Sequence, residues 1–376
     1  MLRILHLNPD FKACEREPRT ASIFKALGDK AQHTVVAPRF GEAWEALLAG
    51  EPVNFVDSSK FPRLDGHPWP TRLQNLAAAM KPFDLVLTYD WGAINAALAH
   101  SVFRDRYALP PLVHHEFTLD EAERGKRNWL RNWRRRIAMT RCEALVVKSH
   151  SLDAVAQSDW HAPRGKVHLI PDGIDTAAYA VPPKRDALPR IVKRDGEKWL
   201  GFNSGTGDEM VPLALVKLLP ALSEGWQLVI LGDAPRRDTI RKEAARLEIA
   251  HRVHFPGKLV EPAKAIGLFD MFVPSPDNEG EPSLLVEAMA VGTVIVTPAF
   301  GDVRALVSSQ NRPFIVPADD TAGLDEAVLQ LANDDELRRR IGSANRELAK
   351  DAYDRKKSVD AQLDLYGQVM ALRSFP

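Results

Sequence analysis

Glu279 and Glu287 stand eight positions apart in the stretch Asp277-Asn278-Glu279-Gly280-Glu281-Pro282-Ser283-Leu284-Leu285-Val286-Glu287-Ala288-Met289-Ala290-Val291-Gly292. An ionised carboxylate offers only acceptors and can take two hydroxyl donors at once. The stretch passes from a polar loop into an apolar helix start. Strand-like runs flank it, Met271 to Pro274 before and Thr293 to Val296 after. Glu279 is therefore expected at the carboxyl end of a sheet strand, and Glu287 on the first turns of the next helix. In open α/β sheets ligands bind in the crevice at such strand ends. The backbone N–H groups of Ser283, Leu284 and Leu285 open that helix and can bind anionic oxygens. Another strand-like run, Pro111-Leu112-Val113-His114-His115-Glu116, ends in a polar tip. Alternation lets only one of its two adjacent histidines face a crevice, and His115, at the strand end, is the one chosen.

Short apolar runs alternate with longer helical patterns along the chain. Strands are expected at Arg3 to Leu7, Thr34 to Ala37, Asp84 to Thr88, Pro111 to His115 and Ala144 to Val147. The alternation restarts after about residue 195, with Trp199 to Asn203, Gln227 to Leu231, Val253 to Phe255, Met271 to Pro274, Thr293 to Thr297 and Phe314 to Val316. Such alternation predicts parallel sheets built from βαβ units, and continuous apolar strands predict that both sheet faces are covered. Pro and charge cluster from Asp172 to Pro189, which reads as an interdomain linker. The expected domains are 1–178 and 179–355, with a charged amphipathic helix over 356–376 crossing back to the first.

The 376 residues are 45% hydrophobic and 27% charged, with 50 Lys+Arg against 50 Asp+Glu. This balance argues against a generic nucleic-acid binder. The only two cysteines, Cys14 and Cys142, lie far apart and give neither a zinc site nor a disulfide framework. No apolar run reaches membrane-spanning length and the N-terminus lacks a signal-peptide core, so a cytoplasmic protein is expected.

The Glu279-x7-Glu287 pair with Ala288-Met289-Ala290-x-Gly292 resembles the signature of retaining GT-B glycosyltransferases, glycosyltransferase family four. Leu231-Gly232-Asp233-Ala234-Pro235, Arg252-Val253-His254-Phe255-Pro256-Gly257 and Ile170-Pro171-Asp172-Gly173-Ile174-Asp175 resemble further family segments, in the family's order. The resemblance implies two Rossmann-like doubly wound domains facing a central cleft. It implies transfer of a sugar from a nucleotide diphosphate donor to a glycan or lipid-linked acceptor, without a cofactor or metal. Glu279 would then contact the donor sugar, Glu287 the ribose, and Gly280, Ser283, Leu284 and Leu285 the diphosphate. His115 would face the donor across the cleft.

Two departures from the pattern bear on turnover. The loop after the first strand, Asn8 to Arg19, contains no glycine, although close backbone approach to phosphate favours one. Lys12, Arg16 and Arg19 are the charges it offers instead. The family's Arg and Lys after the first strand of the second domain are also missing, since no basic residue lies between Lys198 and Lys217. Gly205-Thr206-Gly207 is there instead, either a backbone nest for phosphate or a flexible turn. A catalytically weak GT-B protein acting as a scaffold or glycan-binding partner is the alternative these departures motivate.

Arg124 to Ile137 packs seven basic residues into fourteen. Trp129, Trp133 and Ile137 recur at helical spacing within it. One reading is a peripheral helix on the anionic inner face of a membrane. The other is a solvated helix whose tryptophans pack against their own domain.

Overall fold

The computed structural model describes residues 1–7, 19–37, 48–117, 128–204, 210–232, 234, 236–259, 261–275 and 283–371. The chain forms two compact units, Met1–Asp172 with Lys356–Pro376, and Gly173–Arg355. The division thus falls six residues before the expected 178/179 boundary. The reason is local pairing. Ile174 N–H donates to the Tyr353 carbonyl at 2.9 Å, and Arg355 N–H donates to the Ile174 carbonyl at 2.8 Å. The stretch from Gly173 is therefore tied to the end of the second unit. Within the expected linker, Leu188 is buried in that unit's core.

The first unit carries seven parallel strands: β1 (Leu2–Leu7), β2 (Ala31–Ala37), β3 (Val53–Asp57), β4 (Leu85–Tyr89), β5 (Leu112–Glu116), β6 (Ala144–Val147) and β7 (Val167–Leu169). Their order is β3-β2-β1-β4-β5-β6-β7, so the strand order reverses between β1 and β4. The central strands β4, β5 and β6 are buried along their whole length, as two covered faces require. The edge strands β3 and β7 escaped the sequence reading. They are short and mostly half-buried, and so lack a continuous apolar run. Pro70–Met80 begins with proline at its first turn and buries Leu73, Leu76, Ala77 and Met80 on one face.

In the second unit β8 (Lys198–Asn203), β9 (Trp226–Leu231), β10 (Val253–Gly257), β11 (Met271–Pro274) and β12 (Val294–Ile295) form a parallel sheet, ordered β10-β9-β8-β11-β12. Its order reverses between β8 and β11. β13 (Thr297–Pro298) and β14 (Ile315–Val316) pair separately, so the single strand expected over 293–297 is split. Gly292 stops the Ser283–Ala290 helix at φ +86°, and a Cβ on Gly342 would overlap the Gly292 carbonyl. The glycine of the 288–292 motif thus ends one helix, and Gly342 lets a second helix approach that backbone. Helix Arg355–Val369 carries the chain into the first unit, where Leu365 and Tyr366 pack under the sheet beside Ile4, Leu87 and Val146.

Candidate functional site

In the second unit the point where strand order reverses sets side by side the two strand ends that lead into the segments singled out from sequence. β11 pairs with β8 in register, Pro274 opposite Asn203. The segment containing Glu279 and Gly280 thus leaves the carboxyl end of β11 beside the strand end that leads to Gly205 and Gly207. Glu279, Gly280, Gly205 and Gly207 themselves lie outside the described residues. At the neighbouring strand end, Gly232 adopts φ +91°, and a Cβ there would sit 2.9 Å from the Ser204 carbonyl. Strand ends can close to this distance only around a glycine.

Glu287 lies on the Ser283–Ala290 helix that follows β11 and is 4% exposed. Leu284, Leu285, Val286, Ala288 and Met289 of the same helix belong to an apolar core cluster. Glu287 is the one ionisable group on that helix, and it is largely withdrawn from water. A carboxylate placed so is retained where hydrogen-bonding partners compensate it. Leu284 and Leu285 have committed their side chains to the core, so only their backbone can serve a ligand.

The first unit places the adjacent histidines of β5 on opposite sides of its sheet. His115 is fully buried, its ring stacked on Tyr89 with centroids 4.8 Å apart. Its Nε2 lies 2.9 Å from the Tyr366 hydroxyl, and that hydroxyl donates to Gln362 Oε1 at 3.3 Å. The Tyr366 oxygen therefore accepts from His115 Nε2–H, which fixes the tautomer. The returning helix covers the imidazole that was expected to face a crevice. Tyr89 also bonds His6 Nδ1 at 2.9 Å, and His6 Nε2 meets His33 Nδ1 at 2.9 Å.

Burial drives the His33 imidazole down to about 4. It pushes His6 well below the usual histidine range, with the charges of His33 and His115 adding to the effect. Both groups bind protons more readily unfolded than folded, so stability is greatest above the unfolded value and falls as pH drops toward the folded one. Melting temperature is expected to fall between pH 6.5 and about 4, and His33→Leu should flatten that fall. A melting temperature constant across this window would refute the coupling.

On the other face His114 Nδ1 meets Thr88 Oγ1 at 2.8 Å, and His114 Nε2 meets Glu116 Oε2 at 2.9 Å. Arg135 donates to Glu116 Oε1 at 2.5 Å, with both side chains fully buried. The Arg135 guanidinium lies over the rings of Trp91 and Trp160, at 4.9 and 4.7 Å from their centroids. Desolvation pushes the Glu116 carboxyl up, but the Arg135 charge and the His114 bond together outweigh it and hold it below its ordinary value. The sequence reading missed this pair. The two-residue spacing of His114 and Glu116 was the available sign that they share a face.

Arg135 also inverts the helix that carries it. Trp129–Met139 buries Arg135, Ala138 and Met139, while Trp129, Leu130 and Trp133 are 71%, 55% and 59% exposed. The tryptophans are thus mostly exposed rather than packed against the described residues of their own domain. Asn128 caps this helix, its side chain accepting from Leu130 and Arg131 N–H. No described helix is long and apolar enough to cross a membrane. Among the described residues no group of three His, Cys, Asp or Glu could hold a metal ion.

The family model for glycosyl transferases group 1 matches residues 209–348, and that for Glycosyltransferase Family 4 matches residues 19–178. The first match spans Glu279 and Glu287 and begins after Gly207. The chain is 27% identical over 144 residues to N-acetyl-alpha-D-glucosaminyl L-malate synthase of Bacillus anthracis, covering 38% of each chain. It is 30% identical over 177 residues to phosphatidyl-myo-inositol mannosyltransferase of Mycolicibacterium smegmatis, covering 45% of this chain and 44% of that one. The match therefore spans less than half the length of these curated relatives. Anabaena HepE, solved in complex with UDP and glucose, superposes with a TM-score of 0.69 at 16% identity, covering 98% of this chain and 100% of that one.

Proposed function

Because the chain belongs to the group 1, family 4 glycosyltransferases and has the GT-B fold, we propose that it moves a sugar from a nucleotide diphosphate donor to a glycan or lipid-linked acceptor, with retention of configuration. The observation that carries this reading is the origin of the Glu279 segment at the carboxyl end of β11, beside β8, with the buried Glu287 on the helix that follows. Glu279 takes the sugar hydroxyls and Glu287 the ribose hydroxyls, each as a charged acceptor. The backbone N–H groups of Ser283, Leu284 and Leu285, with Gly280, take diphosphate oxygens at the helix start. Gly205 and Gly207 add backbone donors from the adjacent strand end. The bond from the anomeric carbon to the diphosphate oxygen breaks. The acceptor oxygen bonds to the same face of that carbon, and the leaving diphosphate takes the acceptor's proton. The donor is a substrate, and the reaction uses no resident cofactor or metal.

His115 enters as an orienting residue whose tautomer Tyr366 sets, and contact with the donor requires Tyr366 to release it. That burial, with the absence of any basic residue between Lys198 and Lys217, favours a second reading, a weak or inactive enzyme serving as scaffold or glycan-binding partner. Calorimetry with UDP-, GDP- and ADP-linked sugars, followed by a transfer assay, separates the two. Saturable binding with turnover supports the enzyme, and binding without turnover supports the scaffold. Failure of every donor to bind removes the donor site.

The exposed Trp129, Leu130 and Trp133, with Arg136 at the same helical face, support docking at the inner face of a membrane, where lipid-linked acceptors lie. The protein is expected to sediment with vesicles containing anionic lipid. A Trp129→Ser/Trp133→Ser variant that sediments as well as the parent would end this part of the proposal.

A further inference from the structure

A cavity of about 500 Å³ in the second unit is lined by β10, the Arg237–Arg246 helix and the Arg190–Ile191 segment. β10 is an edge strand, separated from β8 and β11 by β9, so the cavity is distinct from the proposed donor site. Arg237 and Arg241 stand four residues apart on one helix face. Their guanidinium carbons lie 5.0 and 5.6 Å from the Phe255 ring centroid. Arg190 completes the group and sits at φ +67°, in the left-handed region that non-glycine residues seldom adopt.

No described carboxylate pairs with any of these three arginines. Several other arginines of the unit do carry such partners: Arg246 with Glu243, Arg338 with Asp335, and Arg185 with Asp195. The Arg237 Nε–H is buried and makes no hydrogen bond. Like charges spaced four apart on a helix repel one another, and a buried donor without a partner is unfavourable. Both conditions are relieved by an anion in the cavity. Guanidinium forks match phosphoryl oxygens in pairs, and three unit positive charges exceed what a single carboxylate would balance. Phe255, Ile191 and Val253 offer the same ligand an apolar wall.

We propose that this cavity is a second binding site, for an organic phosphate whose phosphoryl group meets Arg237, Arg241 and Arg190 and whose apolar body lies against Phe255, Ile191 and Val253. The inference goes beyond sugar transfer and does not depend on it. Phenyl phosphate is the probe, with phenol and inorganic phosphate beside it, and calorimetry is the readout. The parent protein is expected to bind phenyl phosphate saturably, more tightly than inorganic phosphate, and phenol not at all. Arg237→Gln/Arg241→Gln should weaken phenyl phosphate binding by about tenfold or more, while Glu287→Ala leaves it unchanged. Thermal unfolding of the double variant confirms that it is folded, and Arg190→Gln provides an independent variant. Absent binding, equal binding by the double variant, or loss in Glu287→Ala alone would each overturn the assignment. Failure of nucleotide sugars to bind would leave it standing.

Discussion

Arg135→Leu is expected to lower the stability of the first unit by about 3–5 kcal/mol, because it strands a buried carboxylate. Glu116 is fully inside the protein, and its charge is compensated by Arg135 on one oxygen and His114 on the other. Without the guanidinium, Glu116 must be protonated or drag water inward. The same change removes the cation stacked between Trp91 and Trp160. Replacing both partners by apolar residues, Glu116→Leu with Arg135→Leu, should recover much of the loss, since a well-packed apolar pair can match a buried ion pair. Denaturant unfolding of the two single variants and the double gives the coupling directly. A loss below about 1 kcal/mol for Arg135→Leu would mean that the pair is not compensated as the structure shows. The Trp129–Met139 helix is held to the sheet through Arg135, so the variant should also loosen the exposed tryptophan face.

The second large effect is expected at the donor carboxylates. Glu279→Ala should lower kcat/KM by about 10²–10⁴, as loss of two charge-assisted hydrogen bonds of about 1.5–3 kcal/mol each implies. Glu287→Ala should instead raise the donor's Kd with a smaller change in kcat, because a ribose contact is made equally in ground and transition states. Steady-state kinetics beside calorimetry separates the two profiles. An unchanged kcat/KM for Glu279→Ala would remove that residue from the site. Equal effects on kcat from both variants would remove the division of roles.

Much of the architecture was legible because its strands are buried on both faces. Ala144–Val147 and Met271–Pro274 were placed to the residue, being continuous apolar runs bounded by polar ones. Val53–Asp57 and Val167–Leu169 were not, since an edge strand covered in part needs no such run. The division falls after Asp172 rather than at the expected 178/179 because the pairing of Ile174 with Tyr353 and Arg355 joins residues nearly two hundred positions apart.

The amino-acid sequence by itself determined the βαβ alternation, the family motifs and the placing of Glu287 on the helix that follows β11, since these depend on local pattern and spacing. Only the tertiary structure decided which way side chains face. It turned the Trp129–Met139 helix so that its arginine is inside and its tryptophans outside, against what hydropathy alone implies. A buried cation is acceptable there because Glu116 and two indole rings converge on it from other segments. It likewise covered His115 with Tyr366, a contact across 251 positions that no local pattern encodes. Burial and charge compensation are sums over neighbours, and the fold chooses the neighbours.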